Sequence, residues 1–130
     1  MDTHLDEQRP ESVILLAGGN DLWECARRIN PTPVREIADH IIEAGKTCKR
    51  YNVENIYISS VLPRSSFYLQ LKRKELNTIL RDLCEENDFI FIDNKNIILS
   101  EHISNDGVHL NNVGSDLLAN NFLHHLNSGM

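Results

Sequence analysis

The feature that most constrains this chain is the alternation of short apolar runs with longer segments of helical periodicity. Each run has about the length of a strand and is rich in β-branched or aromatic residues. The first and third runs are apolar without alternation, which is typical of parallel strands covered on both faces. The three predicted strands are residues 13–17, 56–60 and 89–93.

Three segments between and after these runs have apolar residues at the spacing of an amphipathic helix. Thr32 is expected to cap the first helix, with Pro33 at its first position, and the third helix is expected over about residues 112–127. The alternation predicts an α/β fold with a parallel sheet and right-handed crossovers. The residues predicted to face inward are Val34, Ile37, Ala38, Ile41, Ile42 and Cys48; Leu76, Ile79, Leu80, Leu83 and Cys84; and Val113, Leu117, Leu118, Phe122 and Leu126.

Length and composition predict one globular domain over residues 13–127, after a polar segment at 1–12 and before a short tail at 128–130. The net charge is −6, and the one dense basic run is residues 72–74, within a helical pattern. Nucleic-acid binders usually carry a basic stripe, so no nucleic-acid partner is expected. Three cysteines without a CxxC pair predict neither a disulfide framework nor a zinc site, and we expect no metal and no cofactor.

The first twelve residues have no apolar signal-peptide core, and no apolar run is long enough to span a bilayer. These patterns favour a cytoplasmic location. Three strands are few for a sheet of this kind, and the apolar strand from Val13 to Ala17 follows a polar stretch. We therefore expect that the first strands of the sheet are missing, that another chain pairs at this strand edge, or that a helix covers it.

The first predicted strand ends in Gly18-Gly19-Asn20-Asp21-Leu22-Trp23. Ligands of parallel sheets bind beyond the carboxyl ends of the strands, and glycines let the backbone approach a ligand closely. The side-chain amide of Asn20 could donate a hydrogen bond to a developing oxyanion. Taken alone, this segment is more typical of an ordinary turn.

A second candidate lies ahead of the last predicted helix, where Asp106 and His109 are separated by Gly107 and Val108. A carboxylate that binds the imidazole Nδ1–H fixes the tautomer and leaves Nε2 free as a general base. The alternative interpretation is an aspartate that caps the helix and a solvated histidine.

Two further loops follow predicted strands. The second strand runs into Ser59-Ser60-Val61-Leu62-Pro63-Arg64, which could line a pocket where Arg64 meets an anionic group. The favoured interpretation is an ordinary loop interrupted by proline. Asp93 ends the third predicted strand, where it is expected to be a structural cap.

The order of the two blocks, Gly18-Gly19-Asn20-Asp21 after a strand and Asp106-Gly107-Val108-His109 before the final helix, resembles the SGNH (GDSL-type) hydrolase family. The resemblance extends from about Val13 onward and includes the Leu62-Pro63 pair. It implies a three-layer α/β/α flavodoxin-like domain that hydrolyses esters through a Ser-His-Asp triad and an acyl-enzyme.

Carried over to this chain, the resemblance implies His109 as the general base, Asp106 as its orienting carboxylate and Asn20 as an oxyanion donor. Gly18 and Trp23 are expected to line the site of a small-molecule ester substrate. The family's nucleophile lies in a Gly-Asp-Ser block upstream of the Asn block, and this sequence has no such block.

Ser12 lacks the glycine context of a nucleophile, and the serines at 59, 60, 65 and 66 follow a later strand. The leading hypothesis is therefore an N-terminally incomplete SGNH-type esterase domain with little or no activity. Two alternatives stay open: a non-catalytic flavodoxin-like binding or interaction module, and an unrelated flavodoxin-like domain whose Asn20 and His109 are incidental.

Overall fold

The computed structural model describes residues 11–16, 34–65 and 67–128. Three strands and four helices alternate along these residues, in the order that the sequence predicts, with one additional short helix before the last. The elements are β1 (Ser12–Leu15), α1 (Val34–Arg50), β2 (Asn55–Ser59), α2 (Phe67–Glu86), β3 (Ile90–Ile92), α3 (Leu99–His102) and α4 (Asn112–Ser128).

The strands form one parallel sheet in the order β1-β2-β3. Val13 of β1 lies opposite Ile56 of β2, and Tyr57 lies opposite Ile90 of β3. The predicted parallel α/β architecture is therefore confirmed. Because parallel strands end at the same edge of a sheet, the loops after β2 and β3 lie on the side where such folds bind ligands.

Helices α1 and α2 pack together over one face of the sheet. The predicted stripe of α1 is confirmed, because Ile37, Ala38 and Ile41 are buried and Cys48 is partly buried. At Gly45 the backbone of α1 approaches the ring of Phe89, and a Cβ atom there would lie 2.7 Å from its Cε2 atom. The other buried residues of this cluster include Ile56 and Ile58 of β2 and Leu76, Leu80, Leu83 and Cys84 of α2.

Tyr57 lies between Ile56 and Ile58 and therefore points to the opposite face of the sheet. It is buried there, as are Ile92 of β3 and Leu118 of α4, outside the cluster formed with α1 and α2. Helix α4 contacts β3 and α3. The domain thus has helices on both sides of the sheet, in agreement with the predicted three-layer arrangement.

The inward face of α4 differs from the prediction at one residue, Val113. Val113 is 63% exposed, whereas Gly114 and Leu118 are buried. A Cβ atom at Gly114 would lie 2.4 Å from the carbonyl oxygen of His102, so the missing side chain is what lets α4 approach α3. The face that points inward therefore begins at Gly114, because a glycine allows closer packing than the neighbouring valine.

Two of the strands are also less buried than predicted. All four residues of β1 are partly exposed, and Ile90 of β3 is 38% exposed. Both strands lie at the ends of the sheet that the described residues form, so each lacks a neighbouring strand there on one side. None of the helices in this part of the chain combines the length and apolar character that crossing a membrane requires.

Candidate functional site

The candidate site is built on the turn between α3 and α4. An antiparallel bridge between Ile103 and Leu110 closes the base of this turn. Within it, the Ser104 amide donates to the His109 carbonyl at 2.7 Å, and the Gly107 amide donates to the Ser104 carbonyl at 2.9 Å. Gly107 has a φ angle of 75°, in the left-handed region that favours glycine. The chain therefore reverses direction within a few residues.

Asp106 uses both of its carboxylate oxygens inside this turn. Oδ1 accepts hydrogen bonds from the backbone amides of Val108, at 2.9 Å, and His109, at 3.0 Å. Oδ2 lies 2.6 Å from Nδ1 of His109. The turn thus brings the carboxylate and the imidazole into direct contact. Asp106 does not cap α4, which was the alternative interpretation of its position.

The hydrogen bond from the His109 side chain holds the pKa of Asp106 well below its usual range, with further contributions from the backbone amides of His109 and Val108. An ionised carboxylate can only accept hydrogen bonds, so Nδ1 of His109 carries the proton in the neutral imidazole. Nε2 is then the basic nitrogen. This assignment of the tautomer follows from hydrogen-bonding chemistry.

The imidazole is open to solvent, since the His109 side chain is 80% exposed and that of Asp106 is 48% exposed. Within the described part of the chain, Nε2 has no hydrogen-bond partner. The basic nitrogen is therefore oriented by the protein and accessible to a reactant, which is the arrangement required of a general base.

Asn111 fixes the junction between the turn and α4. Its Oδ1 accepts a hydrogen bond from the Gly114 amide at 2.8 Å, so it acts as the cap of α4. Its Nδ2 donates to the carbonyl oxygen of Glu101 at 2.9 Å, and its backbone amide donates to the carbonyl oxygen of His102 at 2.9 Å. Asn111 was not among the predicted site residues, although an asparagine directly before a helical pattern is a recognised capping signal.

The loop after β2 also reaches the turn. The Ser65 amide donates to the Gly107 carbonyl at 3.1 Å, and a Cβ atom at Gly107 would lie 2.3 Å from Ser65 Oγ. Ser65 thus contacts the backbone between Asp106 and His109. Arg64 is partly exposed in the same loop.

Ser59 and Ser60 belong to a buried polar network at the carboxyl ends of β2 and β3. Asn94 Nδ2 donates to Ser59 Oγ at 2.7 Å and to Ser60 Oγ at 3.0 Å. Both serines are nearly inaccessible, at 1% and 4% exposure, so neither hydroxyl is open to a substrate. Asp93 forms an ion pair with Arg81 at 2.7 Å.

Three of the predicted site residues, Gly18, Asn20 and Trp23, lie outside the described residues. The structure therefore brings together Asp106 and His109, while the convergence of Asn20 with His109 stays a prediction. Within the described ranges, no group of three or more histidine, cysteine, aspartate or glutamate side chains is arranged to hold a metal ion.

A sequence model of the GDSL-like lipase/acylhydrolase family matches residues 1–117 of the chain. A search of curated protein sequences found no match to this chain. Among solved structures, a GDSL-like lipase from Bacteroides thetaiotaomicron is similar, with a TM-score of 0.77 and 21% identity over 93% of this chain. An acetylxylan esterase from Geobacillus stearothermophilus has a TM-score of 0.71 and 18% identity over 91% of this chain.

The chain spans 64% of the length of the Bacteroides lipase and 60% of that of the Geobacillus esterase. At these identities the similarity shows a shared fold. The predicted flavodoxin-like α/β architecture is thereby confirmed against solved structures.

Proposed function

Because the chain belongs to the GDSL-like lipase/acylhydrolase family, we propose that it is an ester hydrolase domain that carries the histidine and aspartate of a Ser-His-Asp triad. The observation that carries this proposal is the 2.6 Å contact between His109 Nδ1 and Asp106 Oδ2, which leaves Nε2 unpartnered among the described residues. In this proposal Asp106 orients the ring and His109 is the general base.

In a complete triad, with a nucleophilic serine beside His109, the proposed reaction proceeds in two acyl-transfer steps. Nε2 of His109 takes the proton of a serine hydroxyl while the serine oxygen attacks the ester carbonyl carbon. The imidazolium, stabilised by Asp106, then gives this proton to the leaving alcohol as the tetrahedral intermediate collapses to an acyl-enzyme. Water activated by the same nitrogen hydrolyses the acyl-enzyme, which returns the serine and releases the acid.

We further propose that Asn20 donates a hydrogen bond to the oxyanion, and that Gly18 and Trp23 line the substrate site. A preorganised amide donor of this kind is worth about 10²–10³ in rate. The support is the Gly18-Gly19-Asn20-Asp21 block after the first strand. The convergence of Asn20 and His109 at one edge of the sheet is part of this proposal.

The substrate class that we propose is a small carboxylic or acetyl ester. It rests on the similarity of the fold to a GDSL-like lipase and to an acetylxylan esterase. Structures of that Geobacillus esterase with a serine or an aspartate replaced by alanine are both described as catalytic mutants. A role for a serine and an aspartate in that enzyme supports the role proposed here for Asp106.

We also propose that this chain by itself hydrolyses esters very slowly, because the sequence has no Gly-Asp-Ser block. Ser59 and Ser60 are buried in hydrogen bonds with Asn94, and Ser65 packs against Gly107. Loss of the nucleophile from a triad costs on the order of 10⁶ in turnover.

The test is hydrolysis of p-nitrophenyl acetate by the purified chain, His109→Ala, Asp106→Asn and His40→Ala. His40 is an exposed histidine of α1 and serves as the matched control for background reaction with imidazole. We expect a low rate that falls in the first two variants and stays unchanged in the third. Clear turnover that disappears in His109→Ala but survives replacement of every serine rules out the proposed mechanism.

A second candidate function is a non-catalytic interaction module. One observation favours it: β1 is the outermost strand of the sheet that the described residues form, and its residues are only partly buried. A partner chain could pair with that strand edge. Light scattering distinguishes the two candidate functions. A stable dimer of defined mass supports the interaction module, whereas a monomer or aggregates of variable mass oppose it.

A further inference from the structure

Among the described residues, Ser65 makes the one hydrogen bond that joins the tip of the site turn to another part of the domain. The Ser65 amide donates this hydrogen bond to the Gly107 carbonyl at 3.1 Å. In the part of the chain that the structure describes, residues 105–109 make no other hydrogen bond to a residue outside the turn. All the others join residues of the turn to one another. This hydrogen bond joins the tip to the loop after β2.

The side chain of Ser65 also lies against the backbone of Gly107. A Cβ atom at Gly107 would lie 2.3 Å from Ser65 Oγ and 2.7 Å from Ser65 Cβ. Gly107 is buried, although Asp106, Val108 and His109 around it are exposed. Ser65 thus covers the one part of the turn tip that is shielded from solvent.

Shielding matters because hydrogen bonds in exposed turns open at low free-energy cost. Asp106 and His109 are joined by bonds of this exposed kind, at 48% and 80% side-chain exposure. Their contact persists only while the backbone between them keeps its shape. The backbone between them is Gly107, with its left-handed φ of 75°, and Val108.

We propose that Ser65 is a positioning residue that holds the Asp106–His109 pair in its bonded geometry through its contact with Gly107. The catalytic meaning of this role rests on the proposed function, whereas the geometric role does not. Ser65 acts through the turn backbone: its amide binds the Gly107 carbonyl, and its side chain limits where the Gly107 backbone can move.

The test is a ¹³C NMR titration of the Asp106 carboxyl in the full chain and in two matched variants. Ser65→Pro removes the backbone N–H, whereas Ser65→Ala keeps both that donor and Cβ. We expect the pKa of Asp106 to rise by about one unit or more toward the ordinary value of about 3.9 in Ser65→Pro. In Ser65→Ala we expect it to stay where it is in the parent chain. A folded Ser65→Pro variant with an unmoved pKa overturns the proposal.

If Ser65→Pro does not fold, a second comparison decides. Gly107→Ala is made in the parent chain and in a Ser65→Gly background, and the same carboxyl is titrated. We expect the shift caused by Gly107→Ala to be smaller when Ser65 is glycine, because the clash with the serine side chain is relieved. Equal shifts in the two backgrounds contradict the proposal.

Esterase activity does not enter these measurements. A chain that hydrolyses no ester can still show the expected shifts, which then support the role of Ser65 while the proposed function fails. In the reverse case, ester hydrolysis depends on His109 but the pKa of Asp106 does not change in the Ser65 variants. The proposed function is then supported and the role of Ser65 fails.

Discussion

Asn121 of α4 donates a hydrogen bond from Nδ2 to Oδ1 of Asn94 across 3.0 Å, which ties the end of β3 to the last helix. Asn94 is 4% exposed and also donates to the hydroxyl oxygens of Ser59 and Ser60. One buried amide therefore joins the ends of β2 and β3 to α4.

We expect Asn94→Ala to lower the free energy of unfolding by about 1–3 kcal/mol, because the buried serine hydroxyls and the Asn121 amide lose a partner. Asn96→Ala is the control: Asn96 is exposed and bonds to the same Asn121. That change should cost within about 0.5 kcal/mol. Urea denaturation followed by circular dichroism measures both, and equal losses in the two variants would argue against a central role for Asn94.

We expect Asp106→Asn to change the tautomer of His109. Asparagine places an amide or a carbonyl where the carboxylate oxygen now accepts from Nδ1, so the preference for a proton on Nδ1 is reduced. ¹⁵N NMR of the imidazole at alkaline pH should show a proton mainly on Nδ1 in the parent chain and a larger share on Nε2 in the variant. An unchanged tautomer would mean that Asp106 does not orient the ring.

The depressed pKa of Asp106 predicts a specific pH window. A carboxyl whose pKa is lower in the folded state contributes to stability above its unfolded pKa of about 3.9 and loses that contribution as the pH falls through the folded value. The turn should thus keep its hydrogen bonds at pH 5 and lose them only at a pH below the unfolded value of about 3.9. ¹H–¹⁵N spectra of Val108 and His109 between pH 6 and pH 2 test this, and an opening centred near pH 4 or above would contradict it.

His109→Ala should raise the pKa of Asp106 only in part. The imidazole hydrogen bond is the largest cause of the depression, but the amides of Val108 and residue 109 still donate to Oδ1. We expect a ¹³C-monitored value between that of the parent chain and about 3.9. His40→Ala should leave it unchanged, and a full return to the ordinary value would show that the backbone amides contribute nothing.

The corrected face of α4 gives a simple stability test. Leu118 is 9% exposed and Val113 is 63% exposed. Leu118→Ala should cost about 2–4 kcal/mol, whereas Val113→Ala should change the free energy of unfolding by within about 0.5 kcal/mol. Thermal and urea denaturation of both variants measures these losses of stability. A larger loss for Val113→Ala than for Leu118→Ala would show that Val113 is the inward residue.

Local patterns in the sequence predicted the elements and the Asp106–His109 contact. The spacing of Ile37, Ala38 and Ile41 gives the buried face of α1 directly, and two residues three apart around a glycine can meet within one turn. These predictions succeed because the interacting residues are neighbours in the chain.

Contacts between distant segments could not be predicted in the same way. The approach of Ser65 to Gly107 depends on how the loop after β2 lies against the turn, and no periodicity encodes it. The inward face of α4 was predicted from hydrophobicity, which favours Val113, whereas close packing at Gly114 decides it. The arrangement of Asn20 with His109 is a contact of the same long-range kind.

The brevity of β3 has a consequence for association between molecules. This strand has three residues, and it ends beside an ion pair between Asp93 and Arg81. A strand that short, followed by charge, offers a poor template for a foreign strand. In the described part of the sheet, growth by strand addition is thus discouraged at the β3 end, and any intermolecular pairing of backbones is directed to the opposite margin, at β1.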